Sequence, residues 1–255
     1  MPKGKSATAL RPPAGVNTRW QVAKSGGGVL LWVVLPLLAT PTGLLMAGQA
    51  ELSVLTGLVA NGPSPLRLRQ DAWPELKLCA RFATRPLHFP LYYALRVGRA
   101  GRRLTLEGEL VHHKLYLGNP PPEIQAFALT HGFNMLLGGA SVAYGGFRWR
   151  AGVGMVVAHP ETVVRGRRHT ERGGLWGRGY FLSGPVLQLA LERRQHLYRG
   201  FGLVGEIKFT AASARFPIAG GEATMTHWAI HLLLGVVARM DGSCEKRGAR
   251  PRQKE

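Results

Sequence analysis

Phe201-Gly202-Leu203-Val204-Gly205-Glu206-Ile207-Lys208-Phe209-Thr210-Ala211 alternates with period two. Phe201, Leu203, Ile207 and Phe209 fall on one face, and Glu206, Lys208 and Thr210 on the other. Alternation over this length is a strand signal, because successive Cβ atoms of an extended chain point to opposite sides. The apolar face needs cover, either from a protein core or from lipid, and the alternation by itself fits both.

Working outward, the same scheme recurs. Phe147, Trp149, Ala151, Val153 and Met155 oppose Arg148, Arg150, Gly152 and Gly154, while Leu104, Leu106 and Leu110 oppose Arg103, Thr105, Glu107 and Glu109. The polar faces carry both signs of charge. In a closed lumen Glu107, Glu109 and Glu206 are expected to pair with Arg103, Arg148, Arg150 and Lys208, because buried charge demands compensation. Candidate strands fall near 51–60, 75–84, 88–98, 102–117, 124–138, 142–158, 177–191, 197–212 and 223–239. Bacterial single-chain barrels have even strand numbers, so eight are expected, with 75–84 and 88–98 merging or one of them lying in a loop. Short periplasmic turns are expected at Gly138-Gly139 and Arg193-Arg194-Gln195, and a long extracellular connection from His159 to Leu175. Glycine, at 34 of 255 residues, exceeds its usual ~7% and suits crowded, curved strands.

Upstream, Lys3, Lys5, Arg11, Arg19 and Lys24 precede the apolar run Val29 to Leu38, and Gly48-Gln49-Ala50 offers small residues for cleavage. Residues 1–50 therefore read as a secretory signal peptide, with the mature chain starting near Glu51. A transmembrane helix is the competing assignment; Pro36, Pro41 and the small-residue exit favour cleavage. That leader holds five of the 33 bases and none of the 14 acids, so the remainder keeps a net charge of +14. The bases are dispersed through strand-like segments of an exported chain, which argues against nucleic acid and toward the phosphates of lipopolysaccharide. Cys79 and Cys244 make one disulfide conceivable in an oxidising compartment. Residues 241–255, rich in Lys and Arg, form a polar tail unable to bury a core.

The segment Glu206-Ile207-Lys208-Phe209-Thr210-Ala211-Ala212-Ser213, followed by Glu222 and a last strand, resembles the final hairpin of the lipid A 3-O-deacylases, also called the acyloxyacyl hydrolase family. That resemblance implies an eight-stranded outer-membrane barrel removing an ester-linked acyl chain from lipid A. It implies Ser213 as nucleophile and Glu222 as the acid that orients a histidine. The histidine of the family's His-x-Ser pair is replaced by Ala211, and a serine without a base is a weak nucleophile. His227, on the strand pairing with that of Ser213, is the expected substitute, ahead of His112, His113, His131 and His231. By parity Ser213 faces the exterior and His227 the lumen.

No cofactor or metal is expected. The sequence has no zinc spacing, Walker loop or dinucleotide fingerprint, and the adjacent His112 and His113 point to opposite faces of a strand. Tyr92, Tyr93, Tyr116, Trp149, Trp176, Tyr180 and Trp228 are candidates for aromatic girdles. The expected fold is all-β, an eight-stranded antiparallel transmembrane β-barrel of the outer-membrane type. Its expected partner is lipid A or another outer-membrane lipid, and its expected role is acting on or binding lipid A acyl chains. Two alternatives remain: a non-enzymatic structural or lipid-binding outer-membrane barrel, and a soluble periplasmic ligand-binding barrel with an apolar interior and a polar exterior.

Overall fold

The computed structural model describes residues 49–101, 104–170 and 172–240. Its strands in chain order are β1 (Gln49–Asn61), β2 (Ser64–Gln70), β3 (Leu76–Ala80), β4 (Phe82–Ala83), β5 (Tyr93–Ala100), β6 (Leu104–Leu117), β7 (Ile124–Tyr144), β8 (Phe147–Ala158), β9 (Glu161–Val164), β10 (Arg167–Arg168), β11 (Gly173–Gly174), β12 (Arg178–Tyr198), β13 (Phe201–Ile218) and β14 (Gly221–Met240). β1, β5, β6, β7, β8, β12, β13 and β14 pair antiparallel in that order, and β14 pairs back onto β1. This ring has the expected eight strands. The surplus candidate, 75–84, forms β3 and β4 outside the ring: β3 pairs with β2, which extends the sheet from β14. The leader and tail assignments fall on residues outside those described, apart from Gln49 and Ala50, which pair in β1 with Ala100 and Met240. Cys244 and Arg103 also lie outside them.

One end of the ring is closed by tight turns. Gly145 and Gly146 have φ of 61° and 79°, and Arg199 and Gly200 have 40° and 81°. Two successive positive φ values match the right-handed twist of the flanking strands. The expected turns at Gly138-Gly139 and at Arg193–Gln195 are therefore corrected: both segments lie inside strands, β7 and β12. Gly139 serves close packing, since a Cβ there would stand 2.3 Å from the carbonyl oxygen of Ala151. The basic run splits across the wall, with Arg193 outside over the Phe147 ring at 5.4 Å and Arg194 inside, 2.6 Å from Glu51. The long connections, 159–177 among them, all lie at the opposite end from these tight turns.

The polarity of the wall inverts along β13 and β14. On β13 the outward row begins Phe201, Leu203, Ile207, Phe209, all exposed, and continues Ser213, Arg215; the inward row begins Glu206, Lys208, Thr210 and continues Ala212, Ala214, Phe216, all buried. On β14 the outward Thr224 and Thr226 give way to Trp228, Ile230, Leu232, Leu234 and Val236. The tight-turn half is thus apolar outside and polar inside, as a bilayer requires, and the far half has the reverse arrangement of a water-soluble barrel. A spanning strand needs only about 9–11 residues, so β7, β12, β13 and β14, of 18 to 21 residues, extend well beyond the belt. The polar exterior expected of a soluble barrel holds only in that projecting half.

Aromatic residues sit at both edges of the belt. Tyr144, Phe147, Tyr198 and Phe201 are exposed at the tight-turn edge, and Phe209 and Trp228 at the other, their rings 6.4 Å apart. Tyr92 is a correction to the girdle assignment: it is wholly buried in the lumen, stacked on His231 at 5.9 Å.

Candidate functional site

The lumen is filled in layers. Next to the tight-turn end, the inward rows supply an ion-pair cluster in which Arg96, Arg148, Arg150, Arg194 and Lys208 interleave with Glu51, Glu107, Glu109, Glu192 and Glu206, and Arg239, at the mouth, adds a contact to Glu51 at 3.1 Å. Arg96 donates to Glu192 and Glu206 at 2.5 Å each and to Glu109 at 3.1 Å. Arg150 meets Glu107 at 2.6 Å, and Lys208 contacts Glu109 and, at 3.2 Å, Glu206. Of the pairing expected from parity, Arg150 and Lys208 meet Glu107, Glu109 and Glu206, Arg148 instead faces Glu192, and Arg103 lies outside the described residues; Arg96, Glu192, Arg194 and Glu51 enlarge the cluster. Such mutual pairing satisfies charges that could not stand singly in a buried place.

Above the ions lies a layer of imidazoles. His231 has its Nδ1 2.7 Å from the Tyr92 hydroxyl and its Nε2 2.9 Å from Thr210 Oγ1. His113 and His227 lie beside each other with ring centroids 5.5 Å apart. Further along, Leu66, Leu68, Leu115, Leu129, Phe133, Phe216 and Met225 form an apolar core. The bore is therefore closed. A cavity of about 340 Å³ opens at the tight-turn mouth, lined by Tyr144, Phe147, Arg148, Glu192, Arg194 and Arg239 among others.

The three residues expected to form a hydrolytic site do not converge. Ser213 is exposed on the outer wall, its β14 neighbour being Thr226. His227 is buried on the inner face, Nδ1 2.8 Å from Ser64 Oγ, with its ring edge-on to Phe82. Glu222 is engaged by Arg215, whose Nε donates at 2.7 Å, with Arg69 at 4.0 Å. Of the other histidines named, His113 and His231 also face inward. His112 has its Nδ1 2.7 Å from Asn134 Oδ1 and stacks on Tyr93, and His131 Nδ1 lies 2.7 Å from Glu161 Oε1. Sequence parity placed Ser213 and His227 on opposite faces, and the register bears that geometry out.

Beyond the Trp228 edge the outer wall carries a row of bases. Register aligns Arg215, Thr224, Arg67 and Lys77 side by side across β13, β14, β2 and β3, with Arg69 in the next outward position. Arg67 and Lys77 are direct cross-strand partners. Like charges so placed repel, and the acids nearby, Glu222 and Glu75, make only solvent-exposed ion pairs. The segment Ser64-Pro65-Leu66-Arg67-Leu68-Arg69-Gln70 escaped the strand count although it alternates in period two, because it is short and follows a Gly-Pro pair.

Fold and belt together define an outer-membrane-type β-barrel. No family model and no curated protein sequence matches the chain. Its likeness is to solved structures of small outer-membrane proteins. Against Ail, the attachment invasion locus protein of Yersinia pestis, identity is 8% over 74% of this chain and 99% of that one, with a TM-score of 0.34. Against OprG of Pseudomonas aeruginosa it is 10% over 76% and 97%, with a TM-score of 0.37. Against Neisserial surface protein A it is 8% over 76% and 98%, with a TM-score of 0.36.

Proposed function

We propose that the protein is a non-enzymatic outer-membrane barrel that holds lipid A through its phosphates, with the acyl chains against the apolar belt and the anionic headgroup on the basic row. The observation that carries this reading is the alignment of Arg215, Arg67 and Lys77 on the outward face past Trp228. Arg67 and Arg215 both flank Thr224, four residues along β14 from Trp228, roughly 13 Å at about 3.3 Å per residue. Long arginine side chains reach back from there toward the level of a glycolipid headgroup. A bound phosphate would relieve the repulsion within the row. The long-loop end would then face the cell exterior.

Hydrolysis is not part of this reading, because Ser213 has neither His227 nor Glu222 beside it. The test uses the barrel folded in detergent, with bisphosphorylated lipid A and the same lipid freed of phosphate as probes. At about 1 kcal/mol per surface base, combined Arg67→Gln, Lys77→Gln and Arg215→Gln substitutions weaken binding of the phosphorylated lipid about a hundredfold. The dephosphorylated lipid binds the unaltered barrel comparably weakly. Equal binding in all arms overturns the proposal. Mass spectrometry of lipid A from expressing cells is expected to show unchanged acylation, and loss of an acyl chain that disappears in Ser213→Ala would restore the hydrolase reading.

A further inference from the structure

We propose that His131, His159 and Glu161 form a binding site for a divalent first-row transition metal on the outer wall, where β7 exchanges one partner strand for another. Phe133 of β7 pairs with Ala158 of β8, and Ala128 pairs with Glu161 of β9. Between those two pairs β7 spends four residues, 129–132, where the facing chain spends only His159 and Pro160. Two extra residues must bulge, and a bulge re-aims the side chains it carries.

The bulge is pinned by its own chemistry. Gly132 adopts φ of 127°, and a Cβ there would meet the Asn134 side chain at 2.2 Å. Its carbonyl accepts from the backbone N–H of His159 at 3.0 Å, which locks the corner between β8 and β9 to the bulge. Pro160 follows, fixing φ at the corner and offering no N–H to pair.

Three donors converge as a result. His131 Nδ1 stands 2.7 Å from Glu161 Oε1, the rings of His131 and His159 are 5.1 Å apart, and one donor atom from each residue lies within 4.8 Å of the others. Thr130 Oγ1 also contacts Glu161 Oε1, a hydrogen bond of the kind that orients a ligating carboxylate. His159 is buried with Tyr180 against its ring at 4.8 Å, whereas the His131 side chain is 46% exposed. The site thus has a fixed inner ligand and an open outer side where water completes the coordination. Two imidazoles and one carboxylate select zinc, nickel, cobalt, copper or iron over calcium and magnesium, which prefer all-oxygen sets. The cluster was hidden from sequence inspection because His131 lies 28 residues before His159, and only the bulge brings them together.

The test is a titration of the full chain, folded in detergent, with Co2+ followed by its d–d absorption, then displacement with Zn2+. One equivalent of Co2+ should bind with nitrogen-containing coordination. His131→Ala and Glu161→Gln should each weaken it more than the ten- to hundredfold that loss of an outer-shell partner costs. A His88→Ala/His196→Ala variant, which removes two exposed histidines elsewhere, should bind as the unaltered chain does. Heat-modifiable migration on gels confirms that each variant is folded. Binding that survives both His131→Ala and Glu161→Gln, or that is lost in the His88/His196 variant, overturns the proposal, as does failure of the folded chain to bind Co2+.

Discussion

Replacing Arg96 with methionine tests whether the lumen is as dry as the layered packing implies. Arg96 is 2% exposed, and its guanidinium serves Glu192, Glu206 and Glu109 together. Methionine keeps much of the volume and removes the charge, which takes from Glu192, Glu206 and Glu109 the guanidinium they share. Breaking a buried pair by deleting one partner costs about 3–5 kcal/mol. With a urea slope of about 2.5 kcal/mol/M, a loss of about 4 kcal/mol moves the unfolding midpoint down by roughly 1.6 M. The assay is equilibrium urea unfolding in phospholipid vesicles at neutral pH, followed by tryptophan fluorescence. A second variant, Arg96→Met with Glu206→Gln, removes both members of one ion pair and is expected to recover most of the loss, because a matched polar pair can be exchanged for neutral groups at little cost. A single-variant shift below about 1 kcal/mol, or a double variant as unstable as the sum of its parts, would mean that water reaches the cluster and that the closed-bore description is wrong.

Two further outcomes follow from the polarity map and the packed bore. Ile207→Arg, on the outward face amid the belt, is expected to cost about 2–4 kcal/mol in the same unfolding assay, while Ser213→Arg, beyond the edge, stays within about 1 kcal/mol; equal costs would misplace the boundary. In planar bilayers the folded barrel is expected to show no steady porin-like conductance, and a reproducible ohmic step from the purified protein would contradict the filled lumen.

The barrel class and strand number were legible because period-two alternation survives in every ring strand, and an even count follows from the topology. The turns were not. Gly138-Gly139 reads as punctuation but lies within β7, where one wall strand presses on another, and the true turn at Gly145-Gly146 follows Tyr144, a girdle residue that looks like continuing strand. Parity also found most of the ion cluster. Arg96, Glu51, Glu192 and Arg194 are harder to read: the first lies in a segment with ambiguous boundaries, the second at the expected start of the mature chain, and the last two at or within a basic run that reads as a turn. The basic row and the histidine cluster depend on register between strands and on a bulge, and neither is encoded in the spacing of one segment.

Inversion of polarity along the strands also explains why a hydrolase-like hairpin need not hydrolyse. Ser213 lies just past the point where the outer wall stops being apolar. A base there must share its face, because a period-two sheet puts adjacent positions on opposite sides of a wall that side chains do not cross. Position 211 shares that face and holds alanine; position 227 holds a histidine, but it faces inward to serve a buried layer with Ser64, Phe82 and His113. Glu222 pairs with Pro217 whereas Ser213 pairs with Thr226, so serine and acid stand four residues apart along β14, roughly 13 Å. Arg215 stands between them and already holds the carboxylate. The outer face here sets a row of bases beside an apolar surface, and the histidine of the paired strand is spent on filling the bore.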